Sequence, residues 1–427
     1  VYKFLNKRNI SWAFYDWANS AYTTIVVTSF FPVLFGNYWF VGSGSENTTT
    51  PLGVANAIAS LTVVLLAPVL GAIADRGDLK KRFLITFLLI GVIFVSSLSF
   101  ITAGHWQLAL SIYILSFIGF AGANVFYDAM LVDISEPDKF DIVSALGYSV
   151  GYLGGGLALL GCIIFASPQN FGLGEQPPVD KIKLIFLFTG VWWVLFSLPL
   201  IFNVRKSEIS PSLPVGVAIK EGISQLITTF GEIRKLKVVF TFLLAYWLYI
   251  DGVDTIIAMA ADYGKRIGFD QNDLFMAFLI TQFIGFPAAI LYGKLGEKIG
   301  ARSAILLAIA TYVGITVYGY FMDEVRDFYI LAIIVGLVMG GIQSLSRALF
   351  ARIIPQNKSA EFFGFYNMVG KLAAVLGPLL MALVSHLTDS PRLSILSIVI
   401  LFILGGILLL MVNEQEGIEK AHEMEQN

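Results

Sequence analysis

The most restrictive feature of this chain is a succession of twelve apolar stretches, at about 11–37, 53–74, 83–103, 107–132, 141–166, 183–203, 238–263, 273–295, 302–322, 328–353, 361–386 and 392–413. A helix needs roughly 20 such residues to cross a bilayer core of about 30 Å. Within lipid the backbone must satisfy its own hydrogen bonds, so runs of this length fold as spanning helices. They are continuous rather than alternating, which excludes an up-and-down β-barrel. Several exceed the minimum, which permits tilt without fixing it. Small residues inside them, as in Gly154-Gly155-Gly156 and Gly340-Gly341, let neighbouring backbones come close. The first stretch is too long for a cleaved leader and no small-residue cleavage site follows it. With 57% hydrophobic and 14% charged residues, the chain departs from the soluble average of about 45–50% apolar and about 25% charged. A soluble globule, a disordered chain and a coiled coil are therefore excluded.

The polar minority excludes further classes. Net charge is −2, so no basic face for nucleic acid is implied. The single Cys162 builds no disulfide framework, and His105, His386 and His422 are too scattered for a metal site. The sequence contains no phosphate-binding loop, no His-Glu-x-x-His and no Gly-x-Ser-x-Gly at a helix start. No cofactor, metal or direct ATP use is expected, and an enzyme is disfavoured. A channel is also disfavoured, because no filter-like loop interrupts a span. Of the 28 Lys and Arg, 20 fall on the side that carries the termini, 6 on the other, and Arg347 and Lys371 inside spans. By the positive-inside rule both termini are expected in the cytoplasm of a cell-membrane protein. The sequon at Asn47 would then face outward.

The spans divide into halves. Residues 1–203 are read as one six-helix bundle, 204–237 as a linker, and 238–427 as a second bundle with a tail. In the linker, Ile219, Ile223, Leu226, Phe230 and Ile233 recur at helical spacing. They describe an amphipathic helix that lies on the membrane surface or packs on the bundle's own end. Three echoes connect the halves. Trp12, Asp16 and Asn19-Ser20 correspond to Trp247, Asp251 and Asp254-Thr255. Gly71, Asp75 and Arg76 correspond to Gly293, Glu297 and Lys298, while Gly122, Pro137 and Tyr148 correspond to Gly340, Pro355 and Tyr366. Repeated halves with a site between them are a transporter architecture.

Two motifs carry a family resemblance. Gly71-Ala-Ile-Ala-Asp75-Arg76-Gly77 with Lys80-Lys81-Arg82 resembles the loop 2–3 signature of the major facilitator superfamily, and Gly293 to Arg302 resembles its echo in loop 8–9. In the first copy Asp78-Leu79 separates the glycine from the basic cluster. Tyr15-Asp16-Trp17-Ala18-Asn19-Ser20-Ala21-Tyr22 resembles the first-helix signature of the UMF1, or Atg22-like, branch, and Gln343 to Arg347 fits the same branch. The resemblance covers nearly the whole chain. It implies an all-α membrane fold of two pseudo-symmetric six-helix bundles, with spans 1, 4, 7 and 10 lining a central cavity. It also implies a latch at the cytoplasmic end, here Asp75, Arg76, Glu297 and Lys298, and amino-acid efflux.

A charge at mid-bilayer costs about 2.5–3.5 kcal/mol on insertion scales, so it faces a cavity or a partner. At 1.5 Å per residue, Asp16 lies roughly 9 Å from the nearer end of span 1 and Asp251 roughly 20 Å from either end of span 7. Spans 1, 4, 7 and 10 each carry a polar cluster on one face: Asp16, Asn19 and Ser20; Asn124, Tyr127 and Asp128; Asp251, Asp254 and Thr255; Gln343, Ser344 and Arg347. Lys371 lies inside span 11. Asp251 and Lys371 either neutralise each other, couple an ion or touch solute. Arg347 either grips a substrate carboxylate or pairs with Asp128 or Asp16 as a gate. Tyr127, Tyr249 and Tyr366 read as packing before binding, and Asp133 and Glu136 as caps of span 4. Proton coupling would fall on Asp16 or Asp251. The expected function is a monomeric secondary transporter of an amino acid or small peptide, proton-coupled and working by alternating access. The alternatives are transport of an organic anion and a non-transporting receptor on the same fold.

Overall fold

The computed structural model describes residues 5–42, 48–166, 179–204, 236–266, 271–373, 376–388 and 390–426, with isolated positions between 217 and 231. Among the described residues all regular structure is helical. Twelve helices have the length and hydropathy to span a membrane: α1 Lys7–Trp39, α2 Thr50–Gly77, α3 Lys80–Phe100, α4 Trp106–Ile134, α5 Pro137–Ala166, α6 Val179–Asn203, α7 Lys237–Ala258, α8 Asp273–Ile299, α9 Ala301–Tyr320, α10 Val325–Ile353, α11 Gln356–Thr388 and α12 Arg392–Leu410. A further helix, α13, covers Glu414–Gln426. The sequon at Asn47 and the periodic stretch at 219–233 lie outside the continuously described residues.

An even number of crossings places the start of α1 and the end of α12 on one face, here the termini face, opposite a distal face. Several helices run past their apolar cores because polar ends complete their backbone bonds. The Asn6 side chain, for example, accepts from the Asn9 amide at 2.8 Å and caps α1. Within the first six helices α1 packs on α5 and α6, and α4 on α2 and α3. Within the last six α7 packs on α11 and α12, and α10 on α8 and α9. The halves meet where α2 lies along α11 and α5 along α8.

Local features place the site. In α1 the backbone widens into π-helix over Tyr22–Phe30 and again over Phe35–Trp39. There Thr28 Oγ1 and Ser29 Oγ bond carbonyls five residues back, at 3.0 and 2.7 Å. Such π-helical turns are frequent at functional sites. Helix α11 is described over Ser359–Ala373 and Leu376–Thr388. The α2–α3 and α8–α9 turns share a left-handed residue at corresponding places, Asp78 (φ 50°) and Gly300 (φ 88°), which extends the echo between the halves.

Candidate functional site

Arg347 of α10 sits at the centre of the interface between the halves and is 1% exposed. Its Nε donates to Ser144 Oγ at 2.9 Å, its Nη1 to Asp128 Oδ1 at 2.9 Å, and its Nη2 to the Ser144 carbonyl at 3.0 Å. Asp16 Oδ2 stands 3.7 Å from Nη2 and accepts from the Tyr127 hydroxyl at 2.7 Å. The guanidinium is enclosed by the rings of Tyr148, Trp12 and Tyr127, at 4.5, 4.7 and 5.4 Å. Asp128 accepts a second donor from the other half, Asn367 Nδ2 at 3.1 Å. The low dielectric makes each charge costly alone, and the partners make the buried pair tolerable. Of the partners the sequence offered Arg347, the structure shows both Asp128 and Asp16 beside it, and its donors are engaged across the interface.

Towards the middle of the bundle the polar groups are half-buried rather than sealed. They include Asp16, Asn124, Tyr148, Asp254, Gln343, Asn367 and Lys371. Lys371 interacts electrostatically with Asp254 and Asp128, and its ammonium lies 5.1 Å from the Phe117 ring of the other half. Among the described residues it forms no ion pair within 4 Å. Tyr148 is within electrostatic reach of both Asp16 and Asp254, so carboxylates of the two halves flank one tyrosine. Beside it Tyr152 donates to Gln343 Oε1 at 2.8 Å. Asn19 donates to Asn124 at 2.7 Å and ties α1 to α4.

Asp251 is placed differently from the charge pair with Lys371. Fully buried, it accepts the Leu376 and Gly377 amides at 2.9 and 2.8 Å and the Thr255 hydroxyl at 3.1 Å. Both amides belong to α11, so the carboxylate ties α7 to α11 through backbone donors. A Cβ at Gly377 would meet Thr255 Oγ1 at 2.0 Å. Nothing in the sequence marked the amides of 376 and 377 as its partners.

At the termini face the halves are bonded shut. Asp75 accepts the Ala360 and Glu361 amides at 3.1 and 2.8 Å. Lys80 lies 3.6 Å from Asp75 and bonds Asp133 at 3.1 Å and Ser359 Oγ at 2.7 Å. Asp133, read from sequence as a helix cap, is thus held by Lys80. Glu297 reaches Lys139 at 3.7 Å. Arg76 is half-buried and Lys298 is exposed. Lys80 is buried at this junction, and in the echo the half-buried Arg302 donates to the Val412 and Leu410 carbonyls at 2.9 and 2.6 Å. Sequence reasoning missed the Arg352 bridge. Arg352 bonds Asp141 of the other half at 2.7 Å and Glu414 of α13 at 2.6 Å. It missed Ser144 and Asn367 as well, since a lone Ser or Asn in an apolar run carries no periodic signal. Toward the distal face a cavity of about 300 Å³ opens between α1 and the second half. Val33, Ile257, Phe278, Val335 and Met381 are among its walls.

The family described as "Vacuole effluxer Atg22 like" matches residues 37–422. The chain is 39% identical to the uncharacterized MFS-type transporter YxiO of Bacillus subtilis (strain 168) over 417 residues, 97% of this chain and 96% of the relative. It is 24% identical to autophagy-related protein 22 of Yarrowia lipolytica, with 90% of this chain and 79% of the relative covered. Among solved structures, the proton:xylose symporter XylE superposes with a TM-score of 0.73 at 14% identity, covering 98% of each chain. At that identity the match shows a shared fold, that of the major facilitator superfamily.

Proposed function

The chain belongs to the Atg22-like family of the major facilitator superfamily, and from that premise we propose that it moves an amino acid or small peptide across its membrane by proton-coupled alternating access. One observation carries the reading: half-buried Asp16 from the first half and Asp254 from the second both act electrostatically on Tyr148, and half-buried Lys371 of the second half acts on Asp254. Opposite charges on opposite walls suit a zwitterion. The two halves would rock about this point. The conformation described is the one closed at the termini face, where Asp75, Lys80 and Arg352 bond across the halves. The excess of Lys and Arg on that face argues that it is cytoplasmic.

In this proposal Asp254, Lys371, Gln343 and Asn124 meet the solute. Asp128 and Arg347, with Asn19 and Tyr127 supporting, close the path, and Asp75, Arg76, Glu297 and Lys298 belong to the latch region. Coupling is assigned to Asp16 rather than Asp251, because Asp251 is committed to backbone amides while Asp16 is half-buried beside the path. A second reading, an organic anion as cargo, is favoured by Lys371, whose ammonium has no carboxylate within 4 Å among the described residues.

Flux in proteoliposomes tests the proposal. Labelled amino acids should accumulate under an imposed pH gradient. Asp16→Asn should abolish that accumulation and leave solute exchange measurable. Undiminished gradient-driven accumulation in the variant would remove Asp16 from the coupling role. Accumulation of organic acids alone would replace the zwitterion with the second reading.

A further inference from the structure

The seat of Arg347 has an asymmetry. Trp12 and Asp16 come from α1, Tyr127 and Asp128 from α4, and Ser144 and Tyr148 from α5. All six belong to the first half, whereas the guanidinium they hold comes from α10 in the second. The only other second-half donor described at Asp128 is Asn367. The seat is a complete cation receptor in its own right. Three rings present their faces, a carboxylate takes one nitrogen at 2.9 Å, a second carboxylate stands 3.7 Å away, and a hydroxyl and a carbonyl take the remaining donors. Aromatic walls with carboxylates are how proteins recognise organic cations.

Three of its parts are held together within the first half, while the Ser144 hydroxyl also donates to the Ser344 carbonyl of the second half at 2.7 Å. Trp12 stacks on Tyr127 with centroids 4.4 Å apart, and Trp12 Nε1 donates to the Tyr127 carbonyl at 3.0 Å. Tyr127 in turn donates to Asp16. When the halves part at the termini face, Arg347, Asn367 and the Ser344 carbonyl must leave with the second half. The cage then keeps its shape and its negative charge, and faces the opened path. We propose that this cage is a cation subsite for a solute bearing a guanidinium or alkylammonium group, which Arg347 fills whenever the termini face is shut. Solute cation and Arg347 compete for one seat, so binding and opening are linked. The inference rests on the transport reading above and narrows the cargo to basic amino acids, basic peptides or kindred amines.

Agmatine, a guanidinium solute without a carboxylate, is the probe. Its equilibrium binding is measured on the full chain in detergent, for wild type and for Arg347→Ala and Arg347→Gln. With the internal competitor removed, both variants should bind agmatine at least about tenfold more tightly than wild type. Adding Asp128→Asn should abolish the gain. No gain in either folded variant, or a gain that survives Asp128→Asn, overturns the proposal.

A wild-type Arg347 arm stands apart from the folding of those variants. Ile142, 1% exposed, packs between the halves against Gly293. In an Ile142→Cys, Cys162→Ser chain agmatine should raise thiol labelling at position 142 several-fold, because filling the cage expels Arg347. Unchanged labelling at saturating agmatine overturns the proposal as well. Amino-acid flux in wild-type proteoliposomes is the separate check on transport. Flux without agmatine binding sinks the cage alone, and agmatine binding without flux sinks the transport reading alone.

Discussion

Asp251 and Asp16 occupy corresponding places in the two halves, five residues from Trp247 and Trp12 counted inclusively, yet they do unlike work. Asp16 takes a tyrosine hydroxyl and stands beside a guanidinium, whereas Asp251 accepts two backbone amides of α11. Type and depth made both legible as charges that need a partner. The partner itself was not legible, because backbone amides at residue 376 are invisible in a side-chain pattern. A tie of this kind gives a sharp expectation. Asp251→Ala strands two buried amides and should cost about 3 kcal/mol of stability, read as a lowered midpoint of thermal unfolding in detergent. Asp251→Asn keeps one acceptor oxygen and should lose less. An unshifted midpoint for Asp251→Ala would remove the tie from the account.

At the scale of helices, close approach decides the conformation. The α2–α11 contact depends on Gly71, where a Cβ would come within 2.2 Å of the Ala360 carbonyl. Backbone cannot yield as a flexible side chain can, so Gly71→Val should hold the halves apart at the termini face. Higher thiol labelling of Cys introduced at Ile142 is the measure, and labelling equal to the parent would contradict the wedge. The glycine belongs to a motif readable in the sequence, and its neighbour Asp75 was rightly placed at the same junction. The motif offers Arg76 and the Lys80 cluster as bases, and Lys80 is the one buried between Asp75 and Asp133. A helix end fixes spacing along its own axis. Which of several nearby bases turns inward is set by the helix it meets.

For the molecule as a whole, the seal at the termini face is distributed over Asp75 with the Ala360 and Glu361 amides, Lys80–Ser359, Arg347–Asp128 and Arg352–Asp141, with α13 attached through Glu414. Arg352 reaches both the opposite half and α13, so removal of its charge releases two contacts at once. Arg352→Ala should shift the population toward the state open at that face, seen as faster labelling at position 142. A label rate equal to the parent would show that the Arg352 bridge does not hold the face shut. Truncation after Val412 should act in the same direction but more weakly, since the Asp141 contact survives. The tail was legible from sequence only as polar and beyond the last span, and its docking as a helix against Ile353 was not.

The sequence by itself determined the twelve crossings, the helical class, the pairing of the halves and the handful of charges that lipid cannot accept. Each follows from one local rule: the cost of polar groups in hydrocarbon is paid residue by residue and leaves its trace in composition and spacing. Only the tertiary structure decided that Arg347 is shut in a cage built by the other half, that Asp251 takes two backbone amides of α11, and that Lys371 answers to Asp254 and Asp128. Those outcomes depend on which faces of separate helices are brought together, and residues more than a hundred positions apart in the chain share no periodicity from which their meeting could be read.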